Sequence, residues 1–242
     1  MQESTRIGLI VPSSNCLSEA QFHRYAPPEV DIQVTRLRMT GKWHKSLAEL
    51  EKTIAEAAAA ISDTCPSLIL FNCTGSSMEE GLAGESRIID IVQKASGCPA
   101  LTTSEAVSEA LKALGIRKLV LISPYVKETN QKEIRYLTEA GFQVLHDLAL
   151  GLSGGQEYVS IKPVRWKELV LENTMAEANG YFLSCTNTTM IETIEDLEGR
   201  LEKPVVTSNQ AALWACLKRL NISHPIAGLG RLFKPETLRS EK

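Results

Sequence analysis

The sequence predicts an α/β fold of two pseudo-symmetric halves, each a parallel sheet flanked by helices, with a site in the cleft between them. Three observations carry this. Short apolar runs alternate along the chain with amphipathic stretches of helical spacing. Landmarks at strand ends recur at a constant offset: Pro12 and Pro124 (124 − 12 = 112), then Cys73 and Cys185 (185 − 73 = 112). Finally, the runs "SLILFN" and "GYFLS" each deliver a cysteine, followed at once by a threonine, to a turn of small hydroxyl-bearing residues.

In the first half, "RIGLIVP" (6–12), "DIQVTRL" (31–37), "SLILFN" (67–72) and "PAL" (99–101) read as strands. Residues 46–62 space alanine, leucine and glutamate as a helix does, 87–95 form a second helix, and 104–115 a third that ends on a glycine. The second half repeats the order. Its strands are 117–124, 142–150, 180–184 and 204–206, and its helices about 127–140, 163–178, 189–200 and 209–220. The segment "CPALTTSEA" matches "KPVVTSNQA" at an offset of 105 (204 − 99 = 105), which implies one shortened loop. We therefore expect one domain from 1–115 with 207–242, and a second from 116–206.

Composition narrows the function. The chain has 242 residues, 43% of them hydrophobic, which suffices for a full core. Its net charge of −3 gives no polybasic surface for nucleic acid. No apolar run is long enough to span a membrane, and the N-terminal stretch "MQESTRIGLIVP" lacks the pattern of a secretory signal. Six cysteines without an export signal are expected to be reduced thiols in the cytoplasm. No CxxC pair occurs and the four histidines are scattered, so no metal site is expected. GxxxxGK[ST] is absent, "GLGRLF" (228–233) lacks the context of a dinucleotide loop, and no GxSxG elbow appears. A phosphatase loop would need arginine where Glu79 and Ile191 stand. The expected chemistry uses no cofactor.

In duplicated α/β halves, ligands bind where the carboxyl ends of the strands face each other. Pro12, Ser13, Ser14 and Asn15, then Cys73 with Thr74, Tyr125, and Cys185 with Thr186 all fall at such ends. "CTGSSME" and "CTNTTMIE" suit helix N-termini, whose free N–H groups bind carboxylates and lower a neighbouring thiol's pKa. On that basis Cys73 is expected to alkylate faster than Cys65, Cys98 or Cys216. The competing reading makes both cysteines small buried hydrophobes. Asn15 could serve only to cap a following helix, Thr74 and Thr186 to cap theirs, and Tyr125 to pack. His23 reads as a surface or packing residue. Cys16 reads as packing or as a third thiol at the cleft rim.

"RIGLIVPSSN", "NCTGSSMEEGL", "ISPYVKETN" and "LSCTNTTMIETIEDLE…KPVVTSNQAALW" together resemble the aspartate/glutamate racemase superfamily. The nearest branch is the one holding maleate cis-trans isomerases and arylmalonate decarboxylases. The resemblance runs over about 6–220. It implies two pseudo-symmetric Rossmann-like domains, no metal or organic cofactor, and a small carboxylate or dicarboxylate substrate. It further implies catalytic roles for Cys73 and Cys185, and substrate binding by Asn15, Pro12, Ser13, Thr74, Gly75, Tyr125, Thr186 and Asn187.

Within that branch, decarboxylases usually carry glycine at the position of Cys73, whereas isomerases and racemases carry both cysteines. As an isomerase, Cys73 would add to the alkene of maleate, rotation would follow, and elimination would release fumarate with Cys185 as acid and base. In a racemase the two thiols would work on opposite faces. Two departures from the isomerase pattern stand out. Asn15 is followed by Cys16 and Leu17 rather than two threonines, and Gly155 stands where a substrate-binding asparagine is usual. An arylmalonate decarboxylase and a carboxylate-binding module without turnover remain the alternatives. Self-association is left open.

Overall fold

The computed structural model describes residues 5–38, 46–234 and 237; the ends assigned to the first domain, 1–4 and 238–242, lie outside this range. The first half runs β1 (Thr5–Pro12), α1 (Ser18–Tyr25), β2 (Val30–Leu37), α2 (Leu47–Ser62), β3 (Leu68–Phe71), α3 (Thr74–Met78), α4 (Gly81–Ser96), β4 (Ala100–Thr102) and α5 (Thr103–Ala113). The second runs β5 (Lys118–Ser123), α6 (Lys127–Glu139), β6 (Gln143–Ala149), α7 (Gln156–Ser160), α8 (Pro163–Glu172), β7 (Gly180–Leu183), a 3-10 turn (Met190–Thr193), α9 (Ile194–Leu201) and β8 (Val205–Thr207). Then α10 (Ser208–Arg219) packs on α5, and a 3-10 turn follows at Arg231–Phe233.

Both sheets are parallel, in the orders β2-β1-β3-β4 and β6-β5-β7-β8. The duplication extends to register. Ile7 faces Leu68 across β1 and β3, while Leu119 faces Gly180 across β5 and β7, each partner advanced by 112. Thr102 and Thr207 cap α5 and α10 alike, each hydroxyl accepting the N–H three residues on. The central strands are sealed on both faces: Leu9, Leu70, Leu121 and Phe182 have no exposed surface. That burial explains why they read as unbroken apolar runs rather than alternating ones.

Every expected strand forms within one residue of its predicted limits. The helices differ more. The one expected at 87–95 begins at Gly81, because two glycines in its first turn hide the pattern. The one expected at 163–178 stops at Glu172, where the Asn173 side chain turns back to the Leu169 carbonyl. The one expected at 189–200 opens as a 3-10 turn and becomes α-helical only at Ile194. Helices α1, α3 and α7 carry too few large apolar residues to show a period; in α1 only Phe22 is one that is buried.

Helix α2 shows how local and tertiary signals agree. Ser46 and Glu49 form a reciprocal capping box, and Leu47, Leu50, Ile54, Ala58 and Ile61 make one buried stripe. A glycine is demanded at the start of β7. A Cβ on Gly180 would lie 2.5 Å from Cδ1 of Ile116. Gly180→Ala should therefore cost about 1–3 kcal/mol, read as a lower urea midpoint at unchanged slope.

Candidate active site

The carboxyl ends of the two sheets enclose a cleft with about 660 Å³ of atom-free space, counting its open mouth. The first half contributes Pro12, Ser14 and Asn15 from the turn after β1, and Cys73, Gly75, Ser76 and Glu79 from the turn and helix after β3. The second half contributes Tyr125, Thr129, Gly155 and Tyr158, and then Cys185, Thr186 and Asn187 from the turn after β7. One thiol thus stands on each wall.

The two cysteine turns are not alike in detail. Cys73 has extended backbone and precedes the five-residue α3, and its thiol donates to Ser76 Oγ at 3.2 Å. Cys185 sits at φ +139°, a conformation L-residues rarely adopt, at a cost of order 1–3 kcal/mol. No helix follows it directly; residues 186–189 form a turn, a correction to the helix N-terminus expected there. Its N–H donates to Ser208 Oγ at 3.0 Å, while its sulfur accepts the Asn187 N–H at 3.3 Å and the Tyr125 hydroxyl.

The expected lowering of the thiol pKa is also corrected. Burial pushes Cys73 up, outweighing its hydrogen bonds with Ser76. Burial pushes Cys185 up to about 12 despite the bonds from Tyr125 and Asn187. A five-residue helix has too little dipole to offset desolvation on this scale. Both thiols therefore hold their protons at neutral pH. Iodoacetamide at neutral pH should label the exposed Cys16 and Cys65 before Cys73, with Cys185 slowest, as peptide mass spectrometry would show.

Tyr125 is buried, meets Tyr158 edge-on with ring centroids 5.6 Å apart, and is held well above the usual phenol range by desolvation. It keeps its proton and can donate to Cys185. Behind the cleft, Glu133 of α6 is fully buried. Its Oε1 accepts from Ser184 Oγ at 2.8 Å, while Oε2 has no partner, and burial pushes the carboxyl up to about 8.

The halves are joined by a buried polar seam. The amide of Asn15 donates to Ser18 Oγ at 2.9 Å and Thr186 Oγ1 at 3.1 Å, and its oxygen accepts the Leu17 and Ser18 N–H groups. Asn72 donates to Ser18 and Asn209, and Asn209 donates to Gln21 and to the Thr186 carbonyl. Asn187 Oδ1 accepts the Cys16 N–H at 2.9 Å, and its amide nitrogen reaches the Gly155 carbonyl only at 3.4 Å. Satisfied buried networks of this kind fix one arrangement of the facing walls.

Of the expected site residues, Cys73, Cys185, Pro12, Asn15, Gly75, Tyr125, Thr186 and Asn187 line the cleft. Two do not. Ser13 is exposed and does not line the cleft, and Ser14 lines the wall instead. Thr74 is fully buried with its hydroxyl spent on Ser208 at 2.9 Å, holding the two cysteine turns together. Sequence reasoning missed Ser76, Glu79, Thr129 and Tyr158 as lining residues. Ser76 and Glu79 lie three and six residues past Cys73, so the turn itself was the signal. Thr129 and Tyr158 come from α6 and α7, and no local pattern points to them.

The arylmalonate decarboxylase family model matches residues 7–233. A maleate isomerase of Geobacillus stearothermophilus is 25% identical over 246 residues, spanning 96% of this chain and 98% of that one. The arylmalonate decarboxylase of Bordetella bronchiseptica is 24% identical over 94% of this chain and 95% of its own. Among solved structures, a Nocardia farcinica maleate cis-trans isomerase mutant with a covalently bound succinylcysteine intermediate superposes with a TM-score of 0.87, at 25% identity, over 95% of this chain and 98% of that one. Arylmalonate decarboxylase itself superposes at 0.84 with 23% identity, over 94% of this chain and 98% of its own, a likeness of fold. A match that runs through both cysteine turns and nearly the whole described chain is decisive: the protein belongs to the arylmalonate decarboxylase family.

Proposed function

We propose that the protein is a cofactor-independent two-cysteine isomerase that converts a small cis-unsaturated carboxylate to its trans isomer. The observation that carries this is the pair of thiols, Cys73 and Cys185, on opposite walls of one cleft. Cys73 first loses its proton to solvent at the open mouth of the cleft. The thiolate then adds to one alkene carbon, and the electron pair of the double bond moves toward the carboxylate. Cys185 gives its proton to the other carbon. Rotation about the new single bond follows. The Cys185 thiolate then takes the proton back, the C–S bond breaks, and the trans alkene leaves.

Each thiol has the support that this route needs. The Ser76 hydroxyl, now accepting from Cys73, can turn and donate to its thiolate. Tyr125 and the Asn187 N–H donate to Cys185 and hold its thiolate when it forms. The substrate carboxylate lies against Asn187 and Thr186. Asn15 positions Thr186 rather than gripping substrate, because both of its amide hydrogens are already used. The succinylcysteine in the Nocardia farcinica relative is the type of adduct this route requires.

The domain limits of 1–115 with 207–242 and of 116–206 form part of the same reading, supported by the packing of α10 on α5. Six free cysteines support a reducing, cytoplasmic setting. Among the described residues no helix is long and apolar enough to cross a membrane.

Proton NMR in D₂O with maleate, with its monoamide, with phenylmalonate and with aspartate tests the reading. Conversion of either cis alkene to its trans isomer supports it. Loss of CO₂ from phenylmalonate alone would move the protein to the decarboxylase reading, the activity after which the family model is described. α-Deuterium exchange without isomerisation would indicate a racemase, and line broadening alone a binding module.

A further inference from the structure

The cleft holds one charged side chain that the isomerisation route leaves unused. Glu79, which ends α3, lines the wall on the Cys73 side, and no lysine or arginine among the described residues lines the cleft with it. Lys132 of α6 pairs with Glu79, and the same ammonium also meets Glu128 at 3.3 Å. Two carboxylates therefore share one cation. The Glu79–Lys132 pair is largely shielded, with side-chain exposures of 13% and 18%. Water screens it poorly.

This makes the two ends of the cleft chemically unequal. The Cys185 end presents the Asn187 amide and the Thr186 hydroxyl, neutral groups able to donate to a carboxylate. The Cys73 end presents Ser76 and the Glu79 carboxylate, which only accepts. A second substrate carboxylate placed there would meet a like charge in a sheltered site. An N–H group would meet an acceptor.

We propose that Glu79 is a specificity-determining residue that fits the cleft to a monocarboxylate bearing an amide or ammonium nitrogen at its far end, and that disfavours dicarboxylates. This rests on the preceding reading that the Cys185 end binds a carboxylate.

Calorimetric titration with succinate and with succinamate, saturated analogues that cannot react, tests the proposal without turnover. Succinamate should bind the wild type more tightly by about tenfold or more, the scale of one like-charge contact in a poorly screened site. Glu79→Gln, which keeps size and hydrogen bonding, should strengthen succinate binding by about tenfold and leave succinamate nearly unchanged. Lys132→Gln, which strips Glu79 of its counter-charge, should widen the gap instead. Opposite shifts in two variants cannot arise from partial unfolding, which would weaken both ligands. Succinate binding the wild type as tightly as succinamate, or a ratio that Glu79→Gln does not move, would each overturn the role of Glu79 while leaving the thiol route standing. Binding of neither would overturn the carboxylate site itself, and the proposal with it. The expected ratios without isomerisation of maleate or its monoamide would sustain Glu79 and count against the isomerase reading.

Discussion

Cys73→Ala and Cys185→Ala should each remove isomerisation, by at least about 10⁴-fold in kcat, and the double variant should be scarcely worse than either single one. The route has no branch with one thiol: without Cys73 no C–S bond forms, and without Cys185 the carbon acid is neither made nor unmade. Cys185→Ser should keep the shape of the turn and the contact with Tyr125 but offer a far weaker acid. Slow protonation by water would then leave substrate stranded on Cys73. Intact-protein mass spectrometry should show a gain of one substrate molecule in Cys185→Ser, and none when Cys73 is also replaced. A decarboxylase gives the opposite pattern, in which only Cys185 is essential and Cys73→Gly keeps or improves activity. A Cys73→Gly variant with full activity on any substrate that the wild type turns over would end the two-thiol mechanism.

The fold was legible in the sequence because both of its signals are short-ranged and repeated. Buried parallel strands are apolar on every residue, so "LILF" and "GYFL" needed no partner to be recognised. Duplication then fixed the topology, since the 112-residue offset of Pro12 and Cys73 is also the offset of the strand register. What the sequence hid was decided by contacts across the cleft. Thr74 looks like a carboxylate ligand until Ser208, 134 residues away, is seen to take its hydroxyl. Cys73 looks activated by a helix until its burial is known. Tyr158 reaches the site on a five-residue helix that no periodicity could announce. Residues at strand ends could be named in advance, but their protonation states and free hydrogen-bonding capacity could not.

Glu133→Gln should stabilise the protein at alkaline pH and do little at acid pH. The duplication itself points to this substitution, because the residue 112 positions earlier is Gln21 (133 − 21 = 112). Both side chains are buried beside the turn after β7: Gln21 donates to the Thr188 carbonyl, and Glu133 accepts from Ser184. Only Glu133 can ionise. Burial raises its folded-state pKa from 4.5 to about 8, so below pH 4.5 it is neutral in both folded and unfolded chains and costs nothing. Between pH 4.5 and 8 the unfolded chain gains by releasing the proton while the native protein still holds it, and stability falls as pH rises. Above pH 8 the loss is complete, on the order of 4 kcal/mol. Cys73, Cys185, Tyr125 and Tyr158, the titratable groups that feel Glu133, are all pushed upward, so none of them offsets this slope in that window. Glutamine keeps the acceptor for Ser184 and removes the ionisation. Scanning calorimetry from pH 4.5 to 8.5 should show the Tm of Glu133→Gln exceeding that of the wild type by roughly 5–10 °C at the alkaline end, with the gap closing toward pH 4.5. Parallel Tm curves for the two proteins across that range would mean that Glu133 is already ionised in the native state.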